Sequence, residues 1–252
     1  MSPQEALFQY CLRRGDDMLL LAQRLGEWCG HGPQLEEDIA LTNIALDLIG
    51  QSRHYLTYAG EVEGKGRDED HLAYHRNERQ FVNVKLAEQP NGDYAHVIAR
   101  CFLYDAYHLP LQETLAKSAD AQLAAIAGKA VKEVTYHLRH SSEWLVRMGD
   151  GTDESHGRAQ KAIDELWTYT GELFATDEVD VILLKAGIAP DMASIKGQWD
   201  AKVNTVLQEA TLKRPADGFM ATGGRQGKHS EYLGFMLAEL QYLQRAYPGA
   251  TW

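Results

Sequence analysis

Two pairs of helical segments are separated by a polar connection of more than 30 residues, Gly60 to Asp93. This spacing restricts the possible fold more than any single motif does. Apolar residues recur with a helical period over Pro3 to Trp28, where Leu7, Cys11, Met18, Leu21, Ala22 and Leu25 share a face. CGHGP at 29–33 breaks that pattern with glycine and proline. A second helix is predicted from about Glu36 to Ala59, with Leu41, Ile44, Leu48 and Tyr55 as its apolar stripe. The connection carries two short helical pieces, DEDHLAYH and RQFVNVKLAEQ, and closes at the PNGD turn, 90–93. A third helix follows from Asp93 to about Lys117, and Pro110 inside it is expected to kink it. Ser118 or Asp120 is placed to cap a fourth helix, which ends near Gly149.

Further helical segments follow. One runs from the DGTDES turn to about Phe174, a short one covers EVDVILLKAG, and another starts around Pro190 and reaches about Leu212. A glycine-rich loop, MATGGRQGKHS, precedes a final helix, EYLGFMLAELQYLQRAY. The sequence offers no alternating strand pattern. Short loops join helices 1 and 2, and helices 3 and 4, so each pair is antiparallel. Two such hairpins joined by one long crossover form the ferritin-like arrangement of the four-helix bundle. The expected fold is all-α: a ferritin-like four-helix bundle with a long crossover between helices 2 and 3, plus additional C-terminal helices. A single domain over 1–252 is expected, with the core bundle at about 3–174 and a helical extension at about 175–252.

Composition narrows the function. A net charge of -11 without a basic stripe argues against nucleic acid. No run of roughly 20 apolar residues is present, and the N-terminal stretch lacks the pattern of a signal peptide. A cytoplasmic protein without a membrane segment is the expectation. The three cysteines, Cys11, Cys29 and Cys101, form no CxxC pair and read as free, buried thiols.

Ferritin-like bundles often hold two irons, with a Glu from one helix of each hairpin and Glu-x-x-His from the other. Roughly four carboxylates then offset two divalent cations in a low-dielectric core. No Glu-x-x-His occurs on helix 2 or helix 4. With Asp17 as the lone acid of helix 1, Leu48 and Gln51 lie 31 and 34 residues on. With Asp105 on helix 3, His137 and His140 lie 32 and 35 residues on. In this register the six positions read Asp17, Leu48, Gln51, Asp105, His137 and His140, with only two carboxylates and a leucine at a ligand position. Asp105 falls within the Ile98, Cys101, Phe102, Leu109 face and should be buried. Asp47, Gln51 and His54 edge the apolar face of helix 2, and Glu133 precedes His137 by one turn. The expectation is no catalytic residue and no metal ligand set, with a hydrogen-bonded polar cluster in place of metal and an Asp105–His or Asp47–His pair within it. Residues placed like Asp17, near Arg13 and Arg24, more often make surface ion pairs. Two other classes stay open at this point: a metal-dependent oxidase using Asp47, Asp105, Glu133 and His137, and a CoA-thioester binding module.

The loop TGGRQGKHS ends in Gly-Lys before a helix, as a phosphate loop would. Thr222 and His229 stand where that motif needs Gly and Ser or Thr, and no strand precedes it. It is read as a tight turn carrying the last helix.

Four stretches carry a family resemblance: LEEDIALTNIALDLIGQSRHYL, ERQFVNVKLAEQPNGDYA, KEVTYHLRHSSEWLVRMGDGT and GGRQGKHSEYLGFMLAELQYLQRAYPGATW. They run from near the start of the chain to its last residue. The sequence resembles the C subunits of bacterial phenylacetyl-CoA epoxygenases, also called phenylacetate-CoA oxygenases. The resemblance implies a structural subunit without a working metal site, paired with a ferritin-like di-iron A subunit. That enzyme adds one atom of O₂ across the aromatic ring of phenylacetyl-CoA. A small B subunit and a reductase with FAD and an iron–sulfur cluster complete it, so no cofactor is expected in this chain. In the A subunit, helix 2 has Glu-x-x-His where this sequence has Leu48 and Gln51, so no catalytic residue carries over. On that reading His137 and His140 are the remnant of a metal-site wall.

Overall fold

The computed structural model describes residues 1–250. Among these every regular element is helical. The first hairpin is α1 (Pro3–Glu27) and α2 (Leu35–Glu63), and the second is α4 (Tyr94–Leu115) and α5 (Ala121–Gly149). These two pairs make the most extensive helix contacts in the molecule. The crossover between them carries α3 (Glu69–Tyr74) and two 3₁₀ turns. The chain is therefore a ferritin-like helical bundle, followed by α6 (Asp153–Trp167) and then by the C-terminal helices α7 (Glu178–Lys185), α8 (Met192–Glu209), α9 (Glu231–Leu240) and α10 (Tyr242–Ala246). No helix among the described residues is long and apolar enough to cross a membrane.

Local chemistry sets the helix ends. Ser2 and Glu5 form a reciprocal capping box ahead of Pro3, which suits the first helical turn. Asp93 caps α4, and Asp120 rather than Ser118 caps α5, accepting from the Leu123 N–H at 2.9 Å. α2 runs four residues past the expected Ala59, until Gly64 adopts φ 69° and closes it. α4 continues through Pro110.

Three departures from the sequence reading have physical causes. RQFVNVKLAEQ is not one helix: 3₁₀ turns at Glu78–Gln80 and Lys85–Glu88 flank an extended stretch. Buried carboxylates on α1 hold that stretch open. The Val82 N–H donates to Asp16 at 2.9 Å and the Val84 N–H to Asp17 at 2.8 Å, so these amides are unavailable to a helix. The segment expected to be helical to Phe174 leaves the α-helix at Trp167 and ends in a 3₁₀ turn, Gly171–Phe174. The final helix divides at Gln241, whose buried side chain donates to the carbonyls of Ala73 and Arg76, both at 3.0 Å. Of the cysteines, Cys11 and Cys101 are buried but Cys29 is exposed, and all three are free.

The extension packs on the bundle: α7 on α1, and α8 on α4 and α5. Trp199 of α8 donates to the Leu103 carbonyl of α4 at 2.9 Å and packs against Trp167 and Phe174. The glycine-rich loop does more than turn the chain. Gly224 donates to the buried Glu172 at 2.7 Å, and Ser230 and His229 both bind the fully buried Glu88 of the crossover. Burial pulls the His229 imidazole down, but its bond to Glu88 raises it on balance. Gly227 sits at φ 70°, with the Arg79 carbonyl filling the space a Cβ would need. Gly227→Ala should therefore cost at least about 2 kcal/mol from left-handed backbone strain and that clash. A urea melt of the variant checks this, and an unchanged midpoint would show that the loop does not brace the crossover.

Candidate functional site

Of the six positions singled out in the sequence, every polar side chain has a protein partner. Asp17 is fully buried, so it does not make the expected surface pairs with Arg13 and Arg24. Arg225 reaches it from the glycine-rich loop with two bonds, 2.9 and 2.8 Å, and Arg14 lies 3.5 Å away. Arg13 instead pairs with Asp177, which caps α7, and with Asp180 within it, and Arg24 pairs with Glu27. The sequence could not place Arg225 beside Asp17, because more than 200 residues separate them.

Leu48 is buried among the core side chains. Its neighbours along α2 face α5 across a seam of polar bridges. Glu37 lies 2.8 Å from His140 Nε2, Asp47 lies 3.0 Å from His137 Nε2, Gln51 donates to Glu133 at 2.8 Å, and His54 Nε2 meets Lys129 at 3.1 Å. From Asp47 to His54 the paired positions rise along α2 as they fall along α5, as in an antiparallel helix pair, whereas Glu37 reaches His140 from outside that register. Of the two pairs expected, the Asp47–His137 pair forms. The Asp105–histidine pair does not, and Asp105 accepts from the Ser141 hydroxyl at 2.9 Å. The alternative set of Asp47, Asp105, Glu133 and His137 is thus divided among three separate contacts.

Sequence reasoning missed part of the centre. His108, one turn beyond Asp105 on α4, is buried and accepts from Gln112 at 2.7 Å, and Tyr55 of α2 donates to Gln112 at 2.9 Å. Arg14 donates to the Tyr107 hydroxyl. The Asp-x-x-His spacing of 105 and 108 was visible in the sequence, but the spacing does not name the partners, Gln112 and through it Tyr55, that His108 meets.

Burial favours the neutral forms of Asp105, His108 and His137. Asp105, taken out of water with one hydroxyl donor, is raised to about 7. His108 is pushed well down by burial and by its neighbour His137. Burial also lowers His137, outweighing the bond to Asp47. The Nδ1 atoms of His108, His137 and His140 are buried without a hydrogen-bond partner. No cluster of three or more His, Cys, Asp or Glu side chains among the described residues has a metal-holding arrangement. The donor set does not fit a di-iron centre: Asp17 is matched to Arg225, and Asp105 is left as the only other central carboxylate where two divalent cations need about four.

Topology and centre together define a ferritin-like bundle whose interior is joined by hydrogen bonds and by buried arginine–carboxylate contacts, Arg225 and Arg14 on Asp17 and Arg76 on Asp16. The chain belongs to the phenylacetic acid catabolic protein family, which it matches over residues 1–252. It is also 54% identical over 246 residues to the C subunit of the 1,2-phenylacetyl-CoA epoxidase of Escherichia coli (strain K12). That alignment covers 98% of this chain and 99% of the relative.

Proposed function

We propose that this chain is the non-catalytic structural subunit of a multicomponent 1,2-phenylacetyl-CoA epoxidase acting in aerobic phenylacetate catabolism in the cytoplasm. It pairs with the di-iron A subunit and stabilises it, and the B subunit and reductase complete the assembly. Iron sits in the A subunit, and FAD and the iron–sulfur cluster in the reductase. The similarity to the C subunit from Escherichia coli supports the pathway and the assembly. The non-catalytic role rests on one observation: Asp17, the acid α1 would contribute, is already neutralised by Arg225.

A metal centre would need that carboxylate freed and a ligand in place of Leu48. Asp17, Leu48, Gln51, Asp105, His137 and His140 are on this reading the remnant of such a centre, now serving as packing. A bundle kept for its outer shape needs a stiff interior, and matched polar contacts supply that without metal.

Anaerobic incubation of the purified chain with excess Fe(II), followed by desalting and an iron assay, tests the reading. Far less than one iron per chain is expected. About two irons per chain would make this a metalloenzyme in its own right.

A further inference from the structure

The short loop Gly224–Ser230 closes on three buried carboxylates that come from three different segments. Asp17 of α1 meets Arg225, Glu172 of the Gly171–Phe174 turn meets the Gly224 N–H, and Glu88 of the crossover meets His229 and Ser230. The loop is also tied to itself. The Gly223 carbonyl accepts the Gln226 and Lys228 N–H groups, both at 2.9 Å, and the Gly224 carbonyl accepts that of Gly227 at 3.0 Å. A segment bonded to itself in this way opens and closes as one piece.

One of its attachments needs a proton. The His229 ring is fully buried, with Nδ1 2.6 Å from Glu88 Oε1 and Nε2 2.9 Å from the Phe81 carbonyl. A carbonyl only accepts, so Nε2 carries a hydrogen. Glu88 already takes the Asn83 amide at 3.0 Å, the Ser230 N–H at 2.8 Å and the Ser230 hydroxyl at 2.5 Å, so its oxygens act as acceptors too. Both ring nitrogens therefore donate, which only the imidazolium can do. A neutral ring would keep one of these bonds and turn a bare nitrogen lone pair toward the other oxygen, inside the protein.

The neighbouring charges are engaged elsewhere. Asp16 of α1 favours the charged ring from a distance but is itself paired with Arg76 of the crossover. Arg24 of α1 donates to the Glu88 backbone carbonyl, Arg225 is held by Asp17, and Lys228 is exposed. Tyr169, after α6, keeps its proton because burial raises it further. Among the described residues, His229 is the only cation within ion-pair distance of the Glu88 carboxylate.

We infer that Gly224–Ser230 is a proton-held latch: as an imidazolium, His229 locks the loop onto the crossover, and loss of that proton releases the loop as one unit and draws Arg225 away from Asp17. Burial works against the charged ring, but the bonds to Glu88 and to the Phe81 carbonyl outweigh it, so the proton is held more tightly in the folded chain than in the unfolded one. The latch is therefore complete below about pH 6.5, the ordinary histidine value, and is lost as the pH climbs through the raised one.

Limited trypsin digestion of the full chain tests this. The Arg225 guanidinium is buried against Asp17, so cleavage after Arg225 needs the loop to lift, and its rate follows the open population. Each rate is divided by that of an unstructured peptide of residues 221–230 at the same pH, which removes the protease's own pH profile. The normalised rate should rise at least about fivefold from pH 6.5 to pH 9. His229→Gln donates one bond but holds no titrating proton, so its loop should already be open at pH 6.5 and change less than about twofold. An equal rise in that variant would place the proton elsewhere and overturn the inference. Cleavage after Arg100, buried within α4, reports opening of the whole fold. If it rises in step with cleavage after Arg225, the fold and not the latch is opening, and the assignment is wrong. Nitrogen-15 spectra of the unmodified chain give a reading that needs no variant. The His229 ring should titrate with a midpoint above about 6.5, and a midpoint at or below that value would sink the latch.

Discussion

Arg225→Met lowers folding stability by about 3–5 kcal/mol, because it leaves the buried Asp17 carboxylate with only the Val84 N–H and the more distant Arg14, 3.5 Å away. Arg225 donates to both oxygens of Asp17, to the Val82 carbonyl at 2.8 Å, and to the Arg13 carbonyl at 3.3 Å. It thus ties α1, the crossover and the glycine-rich loop at one point. For a chain of this length each kcal/mol is worth ~2–4 °C, so the melting temperature should fall by roughly 6–20 °C. The double variant Asp17→Asn/Arg225→Met should lose distinctly less than the sum of the two single losses, since neither partner is then left as an unmatched charge. Additive losses in that cycle would mean that the two residues stabilise the fold independently, and that Asp17 does not rely on Arg225 for its neutralisation.

The second large effect is a dependence on pH. Asp105 is raised to about 7 by burial, with Ser141 as its hydroxyl donor. The ordinary carboxyl value is about 3.9, and each unit is worth ~1.4 kcal/mol. A carboxyl raised in the folded state binds its proton more tightly there than in the unfolded chain. Its contribution to stability is therefore complete below about pH 4, is lost as the pH climbs, and is gone above about 7. Asp105→Asn keeps an oxygen for Ser141 and removes the titration. The stability of the variant relative to the parent should rise by on the order of 3 kcal/mol between pH 5 and pH 8. Urea melts at the two pH values read it directly, and parallel curves would mean that Asp105 is ionised when folded.

Both effects involve residues that the sequence marked and whose partners it could not supply. Asp17 and Asp105 stood out as lone acids on apolar helices. Helical period identifies which residues share a face, so the burial of Asp105 was legible. It carries no information on what arrives from elsewhere in the chain. Arg225 lies on a loop with no period of its own, so neither its burial nor its target could be read. Asp47 and His137 were legible as a candidate pair because both edge the faces of helices that the bundle topology sets side by side. The Glu37–His140 bridge was missed because Glu37 lies in a first turn, where acids are ordinarily present for the helix dipole.

The crossover marks the same limit. RQFVNVKLAEQ has the composition of a short helix, and short helices are marginal without tertiary support. Asp16 and Asp17 offer its amides better-fixed acceptors than a helical turn would, so tertiary contacts override the local preference. By contrast, the long helices α1, α2, α4 and α5 have enough turns for periodicity and end signals to define them. By itself the sequence determined the helical class, the two hairpins with one long crossover, and Leu48 within the apolar stripe of α2, because each depends on local spacing. The tertiary structure alone decided that Arg225 neutralises Asp17, that Ser141 rather than a histidine meets Asp105, and that His229 meets Glu88. Those outcomes depend on contacts between distant segments, whose energies exist only once the chain has closed on itself.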